Sequence, residues 1–317
     1  MVKSRRSTSR IASMNIRKGT LQIFRFRGIN VYLHWSWFLV AAFEIADRGH
    51  AYSAVYWNVL EYLALFLIVT MHEFGHALAC RQTGGTAEQI VLWPLGGVAY
   101  VNPPQRPGAM LWSIAAGPLV NVALLPILSV LVAVSHSAAW GASMPNAYRL
   151  LATLWWINLG LLIFNMLPVY PLDGGQILRS LLWFPLGRAR SMTVSVVIGF
   201  VGAAGMLIYA IRQQNIWMGL IAAYVLINCQ TAWRYAQALT KLDKLPRRDG
   251  FACPQCRVAP PMGNFWVCNH CKKTFDTFAS GAICPSCATA FAVTKCVECG
   301  QVRPLNQWIV PAAPLAG

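Results

Sequence analysis

From His50 to Thr240 this chain carries only four carboxylates: Glu61, Glu73, Glu88 and Asp173. A domain of that length in water needs charge on every face, and charged residues supply about a quarter of an ordinary soluble chain. Here they supply 11%, against 56% apolar residues, in a chain of 317. A surface so poor in charge suits lipid. The ends of the chain differ. The first 34 residues hold eight Lys or Arg and no acid, and the chain past Lys241 is polar and cysteine-rich. The expected fold class is an α-helical multi-pass membrane protein with a small C-terminal zinc-ribbon domain. Its expected parts are a basic arm (1–30), a membrane domain (31–240), a linker (241–250), two ribbon-like modules (251–301) and a tail (302–317).

Apolar runs at Val31–Ala46, Val55–Cys80, Ala109–Val134, Arg149–Leu167, Met192–Ile211 and Ile216–Gln237 predict about six spans. At 1.5 Å per residue each can cross about 30 Å of hydrocarbon, the first only marginally. No small-residue cleavage site follows that first run, so it reads as a retained anchor. Trp35, Trp37, Trp57, Trp112, Trp140 and Trp217 lie near span ends, where an aromatic belt would put them. Six spans with the arm inside leave 18 Lys or Arg on the inner side and only Arg48, Arg149 and Arg212 outside. That bias predicts that both termini are cytoplasmic; the expected location is a cell membrane, in a bacterium the inner one. The arm is then a topology determinant near anionic lipid, not a nucleic-acid-binding segment. Thr86–Val101 fits no span: it alternates apolar with small residues around Pro94, Gly96 and Gly97. A re-entrant β-hairpin is expected there in preference to a simple cytoplasmic loop.

Chemistry enters near the end of the second span, at Met71-His72-Glu73-Phe74-Gly75-His76. On a helix, His72 and His76 stand one turn apart on one face and can share a zinc ion. Glu73 is offset by about 100° and can reach a water at the metal without binding the metal itself. The bland alternative, buried histidines bonded to backbone carbonyls, suffers from the cost of placing three such residues in an apolar span. A catalytic zinc needs a third protein ligand and an open position. Ala79 and Gln82 stand where an extended histidine signature requires Gly and His. Of the downstream acids, Asp243, Asp249, Asp276 and Glu298 lie in the linker or the cysteine region. Glu88 follows His76 closely enough to stay a candidate. Asp173 is better placed, after the fourth span in Asn165-Met-Leu-Pro-Val-Tyr-Pro-Leu-Asp173-Gly-Gly, and is taken as the third ligand.

These motifs resemble the site-2 protease family of intramembrane zinc metalloproteases. HEFGH at the end of one span and NMLPVYPLDGG after another carry the resemblance, with WPLGGVAY at Trp93–Tyr100 and AAGPLVN at Ala115–Asn121. The opening GINVYLHWSWFL and the lack of an inserted PDZ domain resemble the compact sporulation-factor branch. The resemblance covers about Gly28 to Gln237. It implies a membrane-embedded zinc fold, with His72, His76 and Asp173 as ligands and Glu73 as base. It also implies that Asn121 and Asn165 bind substrate backbone or a developing oxyanion. Members of that branch often end in a CBS pair; this chain does not, so nucleotide control is not expected.

Eight of the ten cysteines fall in four CxxC pairs: Cys253/Cys256, Cys268/Cys271, Cys284/Cys287 and Cys296/Cys299. Such knuckles predict two four-thiolate zinc sites, and a reducing cytoplasmic location argues against disulfides. Sequential pairing gives two ribbons in series; nested and crossed pairings stay open. Cys80 and Cys229, isolated in spans, read as apolar packing. Five basic residues, Arg257, Lys272, Lys273, Lys295 and Arg303, are few for a phosphate-tracking surface. A protein partner docking on the ribbons is expected and nucleic acid is not. The expected activity is cleavage of a transmembrane or membrane-adjacent segment of a membrane-protein substrate, with one catalytic and two structural Zn²⁺. The two rivals are a metalloprotease with Glu as third ligand and a non-catalytic membrane adaptor that presents the ribbons.

Overall fold

The computed structural model describes residues 19–47, 52–93 and 96–310. The arm up to residue 18, Arg48, His50, Pro94 and the tail beyond 310 lie outside the described residues. The chain begins with an antiparallel pair, β1 (Thr20–Phe26) and β2 (Ile29–His34). Arg27 and Gly28 both have positive φ, 46° and 76°, as a two-residue hairpin turn matched to strand twist requires. β2 then pairs in parallel with β3 (Thr86–Trp93), which pairs antiparallel with β4 (Gly96–Asn102). The order is β1-β2-β3-β4, so β4 is an edge strand. The hairpin expected at Thr86–Val101 is thus half of a four-stranded sheet. Its inner face buries Ile29, Val31, Ile90 and Leu92 against Val69 and Ala77.

The expected first span is corrected. Val31–His34 belongs to β2, and the helix that follows, α1 (Ser36–Asp47), has 12 residues. At about 18 Å it is too short to cross a bilayer alone. Strand pairing with Ile90–Leu92 captures the apolar residues that the span reading assigned to a helix. Trp37, placed in the aromatic belt from sequence, is instead buried against Tyr62 and Phe66, midway along the next helix.

Among the described residues five helices are long and apolar enough to span. They are α2 (Val55–Gln82), α3 (Pro107–Ser137), α4 (Pro145–Asn165), α5 (Asp173–Arg212) and α6 (Ile216–Asp243). Large apolar side chains such as Val130, Trp156, Val201 and Ile227 are exposed on their outer faces, as lipid contact allows. Small residues bring the helices close. Gly75 on α2 lies against the Ala116 carbonyl of α3, and Gly199 on α5 lies against Cys229 of α6. Cys80 and Cys229 are both buried; the Cys229 thiol also donates to the Tyr170 carbonyl at 3.1 Å. α5 is two helices in one run, broken at Gly187, where φ is 79° and ψ is 174°. Arg81, near the end of α2, donates to the Gly28 carbonyl at 3.2 Å and to that of Arg27. The β1–β2 turn therefore sits at the same end of the bundle as the HExxH.

The C-terminal domain is nested. Cys253, Cys256, Cys296 and Cys299 form one group, and Cys268, Cys271, Cys284 and Cys287 form a second inside it. Two modules in series are thereby replaced by one ribbon inserted between the knuckles of another. Its limits also widen. Trp308 is buried in the outer core, Phe251 bridges Ile309, and Arg247 bridges Pro261. Parts of the expected linker and tail thus belong to this domain.

Candidate active site

α2 places His72, Glu73 and His76 in the bundle, all buried. Asp173 opens α5, where the run Asn165–Pro171 has ended one helix before Gly174 and Gly175 pack onto its backbone carbonyls. His72 Nε2 lies 3.0 Å and His76 Nε2 3.4 Å from Asp173 Oδ2, and the two Nε2 atoms are 3.1 Å apart.

The tautomers follow from the neighbours. Asn158 Nδ2 donates to the backbone carbonyl of Asn121 at 3.0 Å, which can only accept. Asn158 Oδ1 therefore accepts from Asn121 Nδ2 at 2.8 Å, and Asn121 Oδ1 accepts from His72 Nδ1 at 2.6 Å. His76 Nδ1 likewise donates to the Ser113 carbonyl at 3.0 Å. Both histidines hold a proton on Nδ1, so in the neutral imidazoles the Nε2 lone pairs are left to converge with the Asp173 carboxylate. Two imidazole nitrogens and a carboxylate oxygen so close together form a donor set that a metal cation can occupy. Zinc–nitrogen bonds of about 2.0–2.1 Å separate tetrahedral ligands by about 3.3 Å, which matches the spacings here. The residues fit Zn²⁺.

Glu73 stands outside that group. Its Oε2 accepts the Ala99 N–H of β4 at 2.9 Å, and Gly97 of the same strand packs on its side chain with no room for a Cβ. The edge strand and the carboxylate are thus in direct contact. Gly117 of α3 faces the two imidazoles, and a methyl group there would overlap His76. Asn158, Gly117, Ala99 and the Ser113 carbonyl were not singled out from sequence. An asparagine in an otherwise apolar span was the signal for Asn158, and Gly117 lies within the quoted AAGPLVN.

Asn121 is wholly buried and turned toward His72 and Asn158, which makes it a positioning residue for the His72 imidazole. Asn165 ends α4, half-buried, and is not part of the metal-ligand group. Glu88 is exposed on β3. Glu61 is buried and accepts the Tyr52 hydroxyl near the start of α2, far from the site. His34 stacks on Trp93 with 3.9 Å between ring centroids, and exposed His136 lies near Tyr148.

In the ribbon domain the paired sulfurs are 3.5–3.8 Å apart. Tetrahedral Zn–S bonds of about 2.3 Å demand about 3.8 Å. All four knuckles share one backbone form. The residue after each pair, Arg257, Lys272, Ala288 or Gly300, has positive φ and donates its N–H to the carbonyl of the first cysteine. The outer ribbon meets the membrane body at Arg188, next to the Gly187 break. Arg188 donates to the Glu298 carbonyl at 2.5 Å, to Gln105 at 3.1 Å and to Tyr235 at 2.6 Å.

An HExxH whose two histidines converge with an aspartate, inside a bundle of lipid-facing helices, is the arrangement of a membrane-embedded zinc metallopeptidase. The model of peptidase family M50 matches residues 61–141 and 127–209. The zinc metalloprotease MJ0392 of Methanocaldococcus jannaschii is 30% identical over 243 residues, 77% of this chain and 69% of that protein. Stage IV sporulation protein FB of Bacillus subtilis is 32% identical over 146 residues, 44% of this chain and 46% of that protein. A solved site-2 protease from Methanocaldococcus jannaschii superposes with a TM-score of 0.52 at 29% identity, covering 68% of this chain and 95% of that one. The chain belongs to peptidase family M50, the site-2 proteases. It is a multi-pass membrane zinc metalloprotease with a C-terminal pair of cysteine clusters.

Proposed function

We propose that this protease cuts a transmembrane or membrane-adjacent segment of a membrane-protein substrate at the cytoplasmic end of its helical bundle. The observation that carries this reading is the contact between β4 and Glu73. An edge strand whose outer side already meets the base is where an extended peptide would add by main-chain bonding. A helical segment has its carbonyls bonded within the helix, so it must unwind first, which favours cutting near Gly, Pro or other weak helix formers.

Zinc held by His72, His76 and Asp173 would supply Lewis acidity and lower the pKa of the attacking water. Glu73 takes the proton from that water and passes it to the leaving amine. Asn121 and Ser113 keep both imidazoles in the ligating tautomer. The proposed metal content is one catalytic and two structural zinc ions. The proposed location is a bacterial inner membrane with both termini cytoplasmic, supported by the basic arm and by the shared end of the bundle at which β1, the HExxH and the ribbons sit. The test is mass spectrometry of the products from a single-span substrate in proteoliposomes. Cuts clustered within about one helical turn of one membrane face support the reading. Cuts scattered through the water-exposed domain of the substrate contradict it.

A further inference from the structure

Between the outer ribbon and the membrane body runs a cleft of 640 Å³, with a second of 530 Å³ adjoining it across Gly84, Pro104, Gln105 and Gln301. One wall belongs to the body, at Thr83, Arg106 and Trp183. The other belongs to the ribbon, at Gln255, Val258 and Arg303. The floor continues β4: Asn102 ends the strand, and Pro103 to Arg106 line the cleft.

That continuity links the cleft to the active site. Ala99, which contacts Glu73, is three strand residues from Asn102, or about 10 Å. A peptide lying along β4 leads directly into the cleft. It cannot extend its main-chain ladder there, because Pro103 and Pro104 have no N–H to offer. Side chains must do the recognising beyond Asn102, and those present are basic. Arg106 and Arg303, on opposite walls, are exposed, and neither forms an ion pair among the described residues. Lys295 lines the adjoining part. The one acid, Glu298, is already held by Arg247 at 2.8 Å and lies 3.9 Å from Arg188. Against Glu298 and the net negative charge of a zinc-bound four-thiolate group at Cys253, Cys256, Cys296 and Cys299, the lining bases Arg106, Arg188, Lys295 and Arg303 still leave the cleft net positive, with Arg106 and Arg303 unpaired on its two walls among the described residues.

We infer that this cleft receives an extended acidic segment of the substrate, displaced by about three to six residues from the bond that is cut. The inference rests on the proteolytic reading above and gives the ribbon domain a task in it. The membrane body supplies the chemistry and one basic wall; the ribbon supplies the other.

The test uses the full chain carrying Glu73→Gln, in detergent, and three labelled peptides with one common extended core. The first carries a flanking run of Glu, the second Gln and the third Lys in its place. Fluorescence anisotropy should show the Glu peptide bound about tenfold more tightly than the Gln peptide, the effect of two exposed ion pairs. Adding Arg106→Glu and Arg303→Glu together should move the preference to the Lys peptide, a gain that misfolding could not produce. Equal binding of the three peptides, or a Glu preference that survives the double reversal, overturns the inference. Cleavage with Glu73 intact separates the two readings. If the Glu peptide binds selectively but no peptide is cut, the proteolytic reading fails and the cleft stands. If all three are cut and bound alike, the cleft fails and the proteolytic reading stands.

Discussion

At Gly117 a methyl group would sit against the imidazoles of His76 and His72. Alanine is the better helix former by about 1 kcal/mol, so Gly117→Ala should leave α3 intact while it obstructs the metal position. The expected outcome is loss of the membrane-domain zinc and of cleavage, with the ribbon zinc retained. Full zinc occupancy in that variant would contradict the site. Asn121→Ala removes the acceptor that orients His72, and such second contacts typically change metal affinity by about 10–100-fold. A chelator competition assay should show that drop. An unchanged zinc affinity would mean that the Asn121–His72 bond has no part in holding the metal. The meeting of His72 and His76 with Asp173 was legible in the sequence because metal chemistry restricts residue type and spacing. Asn158 and Gly117 were not, because their roles depend on which helix lies opposite them.

The elements show where reading by periodicity stops. The long helices α2 to α6 announce themselves by apolar length. The first apolar run does not, since Val31–His34 is taken by pairing with β3, a partner more than fifty residues away. Pairing of the cysteine knuckles was equally hidden, because all four have the same local form and only the fold decides which two meet. Nesting can be tested directly. In Cys253→Ser the thiols exposed to alkylation should be Cys256, Cys296 and Cys299, while Cys268 and Cys271 stay protected. Labelling of Cys268 and Cys271 instead would point to ribbons in series. Asp276 ties this domain to its approach segment. Burial opposes its charge, but the N–H groups of Gly263, Ala279 and Phe278 and the guanidinium of Arg248 outweigh it and hold its carboxyl below the usual range. A lowered folded pKa stabilises above the unfolded value of about 3.9 and is lost as pH falls through the folded one. Asp276→Asn should therefore lower the thermal midpoint of the ribbon domain at neutral pH, and an unchanged midpoint would mean that this carboxylate is dispensable.

For the whole molecule, the five long helices and the β2–α1 segment bring the described N-terminal strands, the HExxH and the ribbons to one end of the bundle. Reporters fused before Val31 and after Thr240 are accordingly expected to give the same, cytoplasmic, reading. Opposite readings would break the chain trace. The class of the protein was legible because a charge-poor body and two metal motifs leave few alternatives. The joint surface between ribbon and body was not, since nothing local in Arg106 or Arg303 says that they face each other across a cleft. Glu73 is proposed as the base of a zinc protease whose metal it does not bind. That role is tested most directly by purified Glu73→Gln, with zinc per chain and cleavage of a single-span substrate measured on the same sample. Wild-type zinc content, proposed as three ions, is expected, with cleavage reduced by orders of magnitude. Cleavage near the wild-type rate, or loss of one zinc with the base, would contradict that role.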